Sequence, residues 1–337
     1  MALFERSEAR DWFRETMRGV ANVVVPSFTQ NLSGLNEAAI RHDIRVEIER
    51  GFVGTLLVSE TATTAEEYIQ FVEWAADEAA GRLVLIFHAS FNTLEENIEV
   101  GRRAQAVGAE ATLLSYPPTF YPTSEHDIFD YTKAFCDGVD MAVILFPVPL
   151  WGFERLHPAS LSVFLMEKLV RAVPNIAAIK AEGGHPSIAG FTETWNRLAD
   201  QVVVTMPLES QGVPLATLVP MQLIATSNTE YFGDAVPRMM SLIFDGKVSE
   251  AMELFWQIDP ARRADRGIGA IGGANMVHRM AWKYQAWLNG FSGGPLRQPT
   301  ARLVWSQMGN LRQGLVASDL PVTSDPDSDF FVGRFPT

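Results

Sequence analysis

The sequence of 337 residues is poor in cysteine and has no long hydrophobic run. Its one cysteine, Cys136, excludes a framework of intramolecular disulfides and fits a reducing compartment. No apolar run approaches the roughly 20 residues that a membrane-spanning helix needs. Residues 1–10 carry several charges and lack the apolar core of a signal peptide. We therefore expect a cytoplasmic protein with no membrane partner.

Basic residues are also scarce. The chain has 27 Lys and Arg against 40 Asp and Glu, which gives a formal net charge of −13. Proteins that bind nucleic acid neutralise its phosphates with clustered lysine and arginine, so this balance argues against a nucleic-acid partner. The histidines His88, His157 and His185 do not show the spacing of metal ligands. The length allows one large α/β domain, or two smaller ones, with ample core.

Eight short apolar segments alternate with segments of helical periodicity. The predicted strands are Val23–Ser27, Thr55–Ser59, Leu83–His88, Ala111–Ser115, Met141–Phe146, Ile176–Ala181, Val202–Met206 and Leu223–Ser227. The helical segments include Leu35–Arg50, Thr64–Ala80, Thr93–Val107 and Leu161–Val173. This alternation predicts a (β/α)8 barrel of parallel strands. The alternative is an open doubly wound sheet, but the first βα turn lacks the glycine-rich fingerprint that binds phosphate.

The pattern changes after the eighth predicted strand. Three longer segments there predict helices: Phe232–Trp256, Gly272–Trp287 and Pro299–Leu315. The predicted organisation is an N-terminal helical extension (1–18), the barrel (19–230), C-terminal helices (231–317) and an extended tail (318–337) rich in Asp, Pro and Ser. We expect the C-terminal helices to be appended to the barrel rather than to form an independent domain.

Lys180 ends the sixth predicted strand, directly after the apolar residues Ile176–Ile179. The carboxyl ends of the strands form the mouth of a (β/α)8 barrel, and active sites of such barrels lie there. A lysine there loses much of its hydration, which lowers its pKa and leaves a nucleophilic amine for attack on a carbonyl. The alternative is a lysine that extends its amine to solvent at a strand end. The position on a barrel strand favours the reactive amine.

Other candidate site residues lie at or just beyond the predicted strand ends. They are Ser59, Glu60, Thr61, Phe120, Tyr121, Phe146, Glu182 and Asn228. Glu182, two residues past Lys180, either tunes the amine and moves protons or faces solvent in the turn. His88 is a candidate acid–base group, with a structural role as the alternative.

The order of several motifs resembles the dihydrodipicolinate synthase and N-acetylneuraminate lyase family of class I aldolases, over roughly residues 18–315. The similar segments are Val23–Phe28, Gly51–Gly54 with the strand that follows, Gly101–Leu114, Pro117–Pro122, Ile179–Lys180, Gly246–Leu254 and Trp282–Pro295. The motifs are specific as an ordered set rather than one by one.

This resemblance implies a lyase that acts on pyruvate or another 2-keto acid. Lys180 falls at the family's Schiff-base position, where a neutral amine attacks the ketone, water leaves and the protonated imine acts as an electron sink. The resemblance also implies that no metal or organic cofactor is needed. Family members are commonly homotetramers built from dimers, so we expect a homotetramer or homodimer.

Several departures from the family pattern concern the site itself. The Gly-Thr-Thr-Gly-Glu turn that binds the pyruvate carboxylate is replaced by Ser59–Thr64, in which Glu60 either places a negative charge beside the ligand or points to solvent. Phe146 stands where a tyrosine relays protons, and phenylalanine has neither donor nor acceptor. Phe120 stands where family dimers lend a second tyrosine, unless the alignment slips by one residue to Tyr121. Trp151 stands where synthases have a carboxylate-binding arginine.

Together these residues predict a pocket lined by aromatic side chains and an atypical, more apolar or aromatic substrate, such as an aryl-bearing aldol adduct. The preferred hypothesis is an active Schiff-base aldolase or hydratase-aldolase. One alternative is a catalytically altered family member with a binding or regulatory role. Another is a different (β/α)8 enzyme in which Lys180 binds an anionic group.

Overall fold

The computed structural model describes residues 4–182, 187–272 and 278–337, with the backbone alone for 187–189 and 269–272. His185 and part of the predicted helix Gly272–Trp287 lie outside these residues. In the described part of the chain, no helix is long and apolar enough to cross a membrane.

Eight parallel strands form the centre of the molecule. They are β1 Gly19–Val24, β2 Gly54–Leu57, β3 Val84–Ala89, β4 Ala111–Leu114, β5 Ala142–Leu145, β6 Ile176–Lys180, β7 Val203–Thr205 and β8 Leu223–Ala225. Each strand pairs with its neighbour in sequence from β1 to β7, and β8 pairs with β1. This order confirms the predicted (β/α)8 barrel.

Helices of the barrel follow the strands in alternation. They are α2 Glu37–Glu49, α3 Ala65–Ala79, α4 Leu94–Ala106, α5 Glu125–Gly138, α6 Val163–Ala172, α7 Ser187–Leu198 and α8 Glu209–Leu218. Side-chain caps begin several of them, as where Thr64 accepts the N–H of Glu67 at the start of α3. The helices lie within one to two residues of the predicted bounds at both ends wherever a range was predicted.

The first strand differs most from its predicted bounds. It spans Gly19–Val24 rather than Val23–Ser27. The apolar run continues to Val25, but Pro26 has no N–H and cannot donate to a ladder. Pairing with β2 therefore ends at Val24, and pairing with β8 already ends at Ala21.

Thr205 closes the barrel at the seam between β7 and β8. Its hydroxyl donates to the carbonyl oxygen of Leu223 at 2.7 Å and accepts the N–H of Ala225 at 3.0 Å. Thr205 is buried and pairs in register with Lys180 on the other side. One side chain thus joins the last strand to the strand beside the candidate lysine.

The register determines which side chains enter the barrel. In a parallel sheet, paired residues point to the same face, and every second residue along a strand shares that face. The ladder pairs His88, Leu113, Ile144 and Ala178 in turn across β3 to β6. Two residues further along β4, β5 and β6 come Ser115, Phe146 and Lys180, which share the interior face with His88. The opposite face packs outward, as where Phe87 contacts Tyr68 of α3 with ring centroids 5.7 Å apart.

The N-terminal helix covers the base of the barrel. This helix, α1 Ala9–Thr16, buries Phe13 against the barrel. Arg10 donates to the carbonyl oxygens of Val173 and Ile176, both at 2.9 Å. The start of β6, whose far end carries Lys180, is therefore held by the N-terminal extension.

The C-terminal region has more helices than the three predicted. It contains α9 Ala235–Phe244, α10 Val248–Gln257, α11 Asp259–Gly272, α12 Arg279–Leu288 and α13 Trp305–Ala317. The prediction of one helix over Phe232–Trp256 is wrong because Gly246, at φ 75°, interrupts it. The prediction missed α11, whose first half is rich in arginine and aspartate rather than apolar residues.

The tail after α13 packs back onto these helices. Phe330 is fully buried and its ring contacts those of Tyr284 and Trp287 in α12. The N–H of Arg334 donates to the carbonyl oxygen of Ser292 at 2.8 Å. These contacts fix the chain on the outer side of α12.

We expect Thr205→Val to destabilise the barrel by about 2–3 kcal/mol, because a buried donor and a buried acceptor of β8 lose their partner. Urea denaturation monitored by circular dichroism measures this change. Thr217→Val is the matched control, since its hydroxyl bonds a carbonyl within α8 and is only partly buried. Equal effects of the two substitutions would contradict the role of Thr205 in closing the barrel.

Candidate active site at the barrel mouth

Lys180 lies at the mouth of the barrel and is buried, with 6% of its surface exposed. Burial lowers the pKa of its amine, and the positive charge of Arg279 acts in the same direction. The carboxylates of Glu182 and Glu60 oppose this shift without cancelling it. The neutral, nucleophilic form of the amine is therefore more populated here than in a solvent-exposed lysine.

Two side chains contact the Lys180 amine directly. The Nζ atom lies 3.8 Å from the centre of the Phe146 ring and 3.6 Å from Oε2 of Glu182. The ring face stabilises positive charge on the nitrogen but can neither give nor take a proton. Among the residues that the structure describes, Glu182 is therefore the ionisable side chain in contact with the amine.

Trp151 lies in the loop after β5 and contacts Phe146. The indole N–H donates to the carbonyl oxygen of Phe146 at 2.7 Å, and the two rings meet edge to face at 5.6 Å. The Trp151 ring also contacts Tyr116, which follows β4. Trp151 thus links Phe146 to a cluster of aromatic side chains instead of supplying a positive charge beside Lys180.

Phe120 and Tyr121, neighbours in the segment Pro117–Pro122, differ in their contacts and exposure. Phe120 packs in an aromatic cluster with Tyr116, Tyr131 and Phe153, at centroid distances from 4.7 to 5.9 Å. Tyr121 is 83% exposed. Within one chain, Phe120 is therefore part of the aromatic cluster, whereas Tyr121 is largely open to solvent.

His88 is buried on the interior face and bonded at both ring nitrogens. Nδ1 faces the N–H of Ser59 at 3.4 Å, and Nε2 lies 3.2 Å from the hydroxyl oxygen of Ser115. Since Nδ1 accepts, the proton resides on Nε2, which donates to Ser115. Burial lowers the pKa of His88 to about 4, helped by the charges of Arg279 and Lys180 and opposed by Glu60. The ring is neutral at physiological pH.

The turn after β2 carries the remaining predicted residues of this edge. Ser59 and Thr61 are buried, and the Ser59 hydroxyl donates to the carbonyl oxygen of His88 at 3.3 Å. The hydroxyl of Thr61 is buried and has no hydrogen-bond partner among the described residues. Ser59 is thus engaged with the third strand, whereas Thr61 has an unused donor.

Glu60 is exposed to solvent but is not unpaired, because it forms an ion pair with Arg279 at the start of α12. Its other oxygen accepts the hydroxyl of Ser90 at 3.0 Å. Burial by itself would raise the pKa of Glu60, but His88, Arg279 and these hydrogen bonds lower it to about 2. The sequence analysis missed Arg279, since no motif connects it to a turn 219 residues earlier.

Asn228 has hydrogen-bond partners outside this group. Its side-chain amide donates to Oε1 of Gln285 in α12 at 3.0 Å, and Gln285 donates to Asp265 at 2.6 Å. In the described part of the chain, no hydrogen bond of Asn228 reaches the residues around Lys180. Its observed contacts connect the end of β8 to the C-terminal helices.

No group of three or more His, Cys, Asp or Glu side chains that could hold a metal ion occurs within residues 4–182, 187–272 and 278–337. The chemical groups at the mouth are an amine of lowered pKa, carboxylates, a neutral imidazole and a guanidinium.

Comparison with known proteins agrees with this geometry. Residues 16–262 match the sequence profile of the Dihydrodipicolinate synthetase family. A 4-hydroxy-tetrahydrodipicolinate synthase of Methanopyrus kandleri is 23% identical over 257 residues, which cover 74% of this chain and 81% of that protein.

Two solved structures show the same fold. Dihydrodipicolinate synthase from Aquifex aeolicus superposes with a TM-score of 0.76 at 21% identity, covering 91% of this chain and 100% of that chain. N-acetylneuraminate lyase from Fusobacterium nucleatum superposes with a TM-score of 0.73 at 18% identity, covering 89% and 98%. At these identities the likeness establishes the barrel with its C-terminal helices.

We expect His88 to stay neutral, with its proton on Nε2, down to about pH 4. An unfolded histidine takes up a proton near pH 6.5. The free energy of unfolding should therefore fall as the pH drops from 6.5 to 4, because only the unfolded ring gains a proton there. Nitrogen-15 NMR of the His88 imidazole measures both its tautomer and its protonation as a function of pH.

The His88→Gln variant should lose most of this pH dependence, while His126→Gln, on the exposed face of α5, should retain it. A His88 ring that titrates near 6.5 in the folded protein would show that the observed hydrogen bonds do not control its protonation.

Proposed function

Because the chain belongs to the dihydrodipicolinate synthetase family, we propose that it is a lyase that forms a Schiff base between Lys180 and pyruvate or another 2-keto acid. The observation that carries this proposal is the buried amine of lowered pKa at the end of β6. The reaction class is aldol cleavage or condensation, or hydratase-aldolase chemistry.

The first step is attack of the neutral Nζ on the ketone carbon, which forms a C–N bond. The carbonyl oxygen takes up two protons, one from Nζ and one from a general acid or solvent, and leaves as water. The product is a protonated imine on Lys180. This cation withdraws electrons from the adjacent carbon when a C–C bond breaks or a proton leaves. The Phe146 ring, 3.8 Å from Nζ, lies where it stabilises the positive charge.

Glu182 is the proposed proton acceptor and donor in these steps. Its carboxylate lies 3.6 Å from Nζ and is one-quarter exposed, so it exchanges protons with both the intermediate and solvent. A carboxylate so placed offsets the missing hydroxyl at Phe146. His88 serves a positioning role, because both its nitrogens are bonded and its ring stays neutral.

The proposed substrate is more apolar or aromatic than that of a synthase. A row of contacting aromatic rings runs from Phe146, beside the Lys180 amine, through Trp151 and Tyr116 to Phe120. Flat apolar groups gain most from such a wall, since burial of aromatic surface and edge-to-face contacts both contribute. An aryl-bearing adduct of a 2-keto acid fits this surface.

Tyr121 supports a proposed homodimer or homotetramer. At 83% exposure, this large ring has little contact with its own chain, in the loop where family dimers exchange an aromatic residue. The alternative function, a binding or regulatory protein that has lost the chemistry, rests on the absence of a hydroxyl at Phe146.

Incubation with pyruvate and borohydride tests the Schiff base. We expect a mass gain of one reduced pyruvate adduct per chain, located on Lys180 by peptide mapping and absent from Lys180→Ala. Lys283 is an internal control, since burial lowers its pKa to about 8 but its amine donates to Pro26 and Ser27. No adduct with pyruvate or several other 2-keto acids would eliminate the lyase proposal and favour the binding protein.

The pH dependence of trapping tests the role of Glu182. The rate of reduction by cyanoborohydride should rise with pH until Lys180 is neutral, below the ordinary pKa of lysine. Because the Glu182 charge raises the pKa of Lys180, Glu182→Gln should move this rising limb to lower pH. Glu253→Gln on the exposed face of α10 is the control. If the rate of reduction rises at the same pH in Glu182→Gln, or at a higher pH, the result would contradict the observed contact between Lys180 and Glu182.

A further inference from the structure

Arg279 brings a positive charge to the barrel mouth from outside the barrel. It is the first residue of α12, yet its side chain is only 11% exposed because it reaches the turn after β2. The guanidinium is paired with Glu60 and lies 4.5 Å from the centre of the Trp282 ring. Both contacts fix its position.

The arginine retains unused hydrogen-bond donors. A guanidinium has five N–H donors in a planar fork that suits a carboxylate. In the described part of the chain, one terminal nitrogen bonds Glu60 and the other nitrogens bond no residue. Thr61, in the same turn as Glu60, is buried with its hydroxyl unpartnered among the described residues. A buried donor without a partner is costly, and an oxygen-bearing ligand would satisfy it.

The helix that carries Arg279 is itself anchored to the barrel. Four residues on, Lys283 donates to the carbonyl oxygen of Pro26 at 2.9 Å and to the hydroxyl of Ser27 at 2.8 Å, just beyond β1. Gln285 accepts the amide of Asn228 beyond β8. The start of α12 is therefore held between β8, β1 and β2, so Arg279 is placed over the mouth rather than on a free surface.

We propose that Arg279, oriented by Glu60, binds the carboxylate of the 2-keto acid whose carbonyl reacts with Lys180. This inference rests on the proposed function and assigns the substrate's anionic group to a side chain of α12. It supplies the recognition that the altered turn Ser59–Thr61 lacks. The pKa of Lys180 is consistent with the arrangement, since Arg279 lies close enough to lower it.

The test compares pyruvate with methyl pyruvate, which has the same carbonyl but no negative charge, by isothermal titration calorimetry. Loss of a charged hydrogen bond weakens binding by about 10- to 100-fold. We expect Arg279→Gln to weaken the binding of pyruvate by this factor and the binding of methyl pyruvate by less than about 3-fold. Arg279→Lys, which keeps the charge, should recover part of the loss. Retained binding of the ester shows that the variant is folded.

Arg197→Gln is the matched control. Arg197 is likewise paired with a glutamate, Glu167, and lies 4.7 Å from an aromatic ring, Phe164, but on the outer helices α6 and α7. The Arg197→Gln substitution should leave the affinities for pyruvate and methyl pyruvate unchanged. Equal losses for pyruvate and its ester in Arg279→Gln, or no loss for either, would overturn the inference.

Measurements in the Lys180→Ala background separate this inference from the proposed function. Weaker pyruvate binding in Lys180→Ala/Arg279→Gln than in Lys180→Ala supports the carboxylate site even if borohydride traps no adduct. If borohydride traps an adduct but the affinity for pyruvate does not depend on Arg279, the lyase proposal is supported. The proposal that Arg279 binds the carboxylate is then wrong. Absence of pyruvate binding to the unaltered protein overturns both.

Discussion

Burial of the Lys180 amine is the constraint on which the arrangement of the site depends. A charged amine loses hydration inside a protein, so it either becomes neutral or needs partners that replace water. Here the Phe146 ring and the Glu182 carboxylate supply part of that replacement, while the surrounding barrel keeps solvent away. Contacts at both ends of β6 hold the strand that carries Lys180. Arg10 holds the start of the strand, and Thr205, in register with Lys180, joins the neighbouring strand to β8.

The C-terminal helices contribute to the same mouth. Helix α12 is bound to the ends of β1 and β8, and the tail packs against its outer side through Phe330. Its first residue, Arg279, pairs with Glu60 and so converts a carboxylate that would repel an anion into an orienting group for a guanidinium. The charge at this edge of the site is therefore set by packing between the barrel and α12. Loss of contacts along α12 would move Arg279 and change the electrostatics around Lys180 without altering any barrel residue.

Much of the fold could be predicted from local sequence because strands and helices of a barrel are short and strongly patterned. Apolar runs such as Ile176–Ile179 marked the strands, and the position of Lys180 followed from one of them. Contacts between distant segments could not be predicted in this way. Glu60 and Arg279 are separated by 219 residues, and neither has a local pattern that indicates an ion pair. Helix α11 was missed for a related reason, since its arginines and aspartates hide the apolar periodicity used to find helices.

A ring without a hydroxyl at Phe146 separates two tasks that a tyrosine at this position would combine. Stabilising positive charge on the lysine nitrogen requires only a ring face, and Phe146 provides it at 3.8 Å. Moving a proton requires a group that ionises, and Glu182 is in contact with the same nitrogen. A carboxylate is a stronger base at neutral pH than a neutral tyrosine, whose hydroxyl ionises near pH 10. Proton removal would then depend on the charge balance of Glu182, Glu60 and Arg279, so a ligand carboxylate bound at Arg279 would itself influence the basicity of the site.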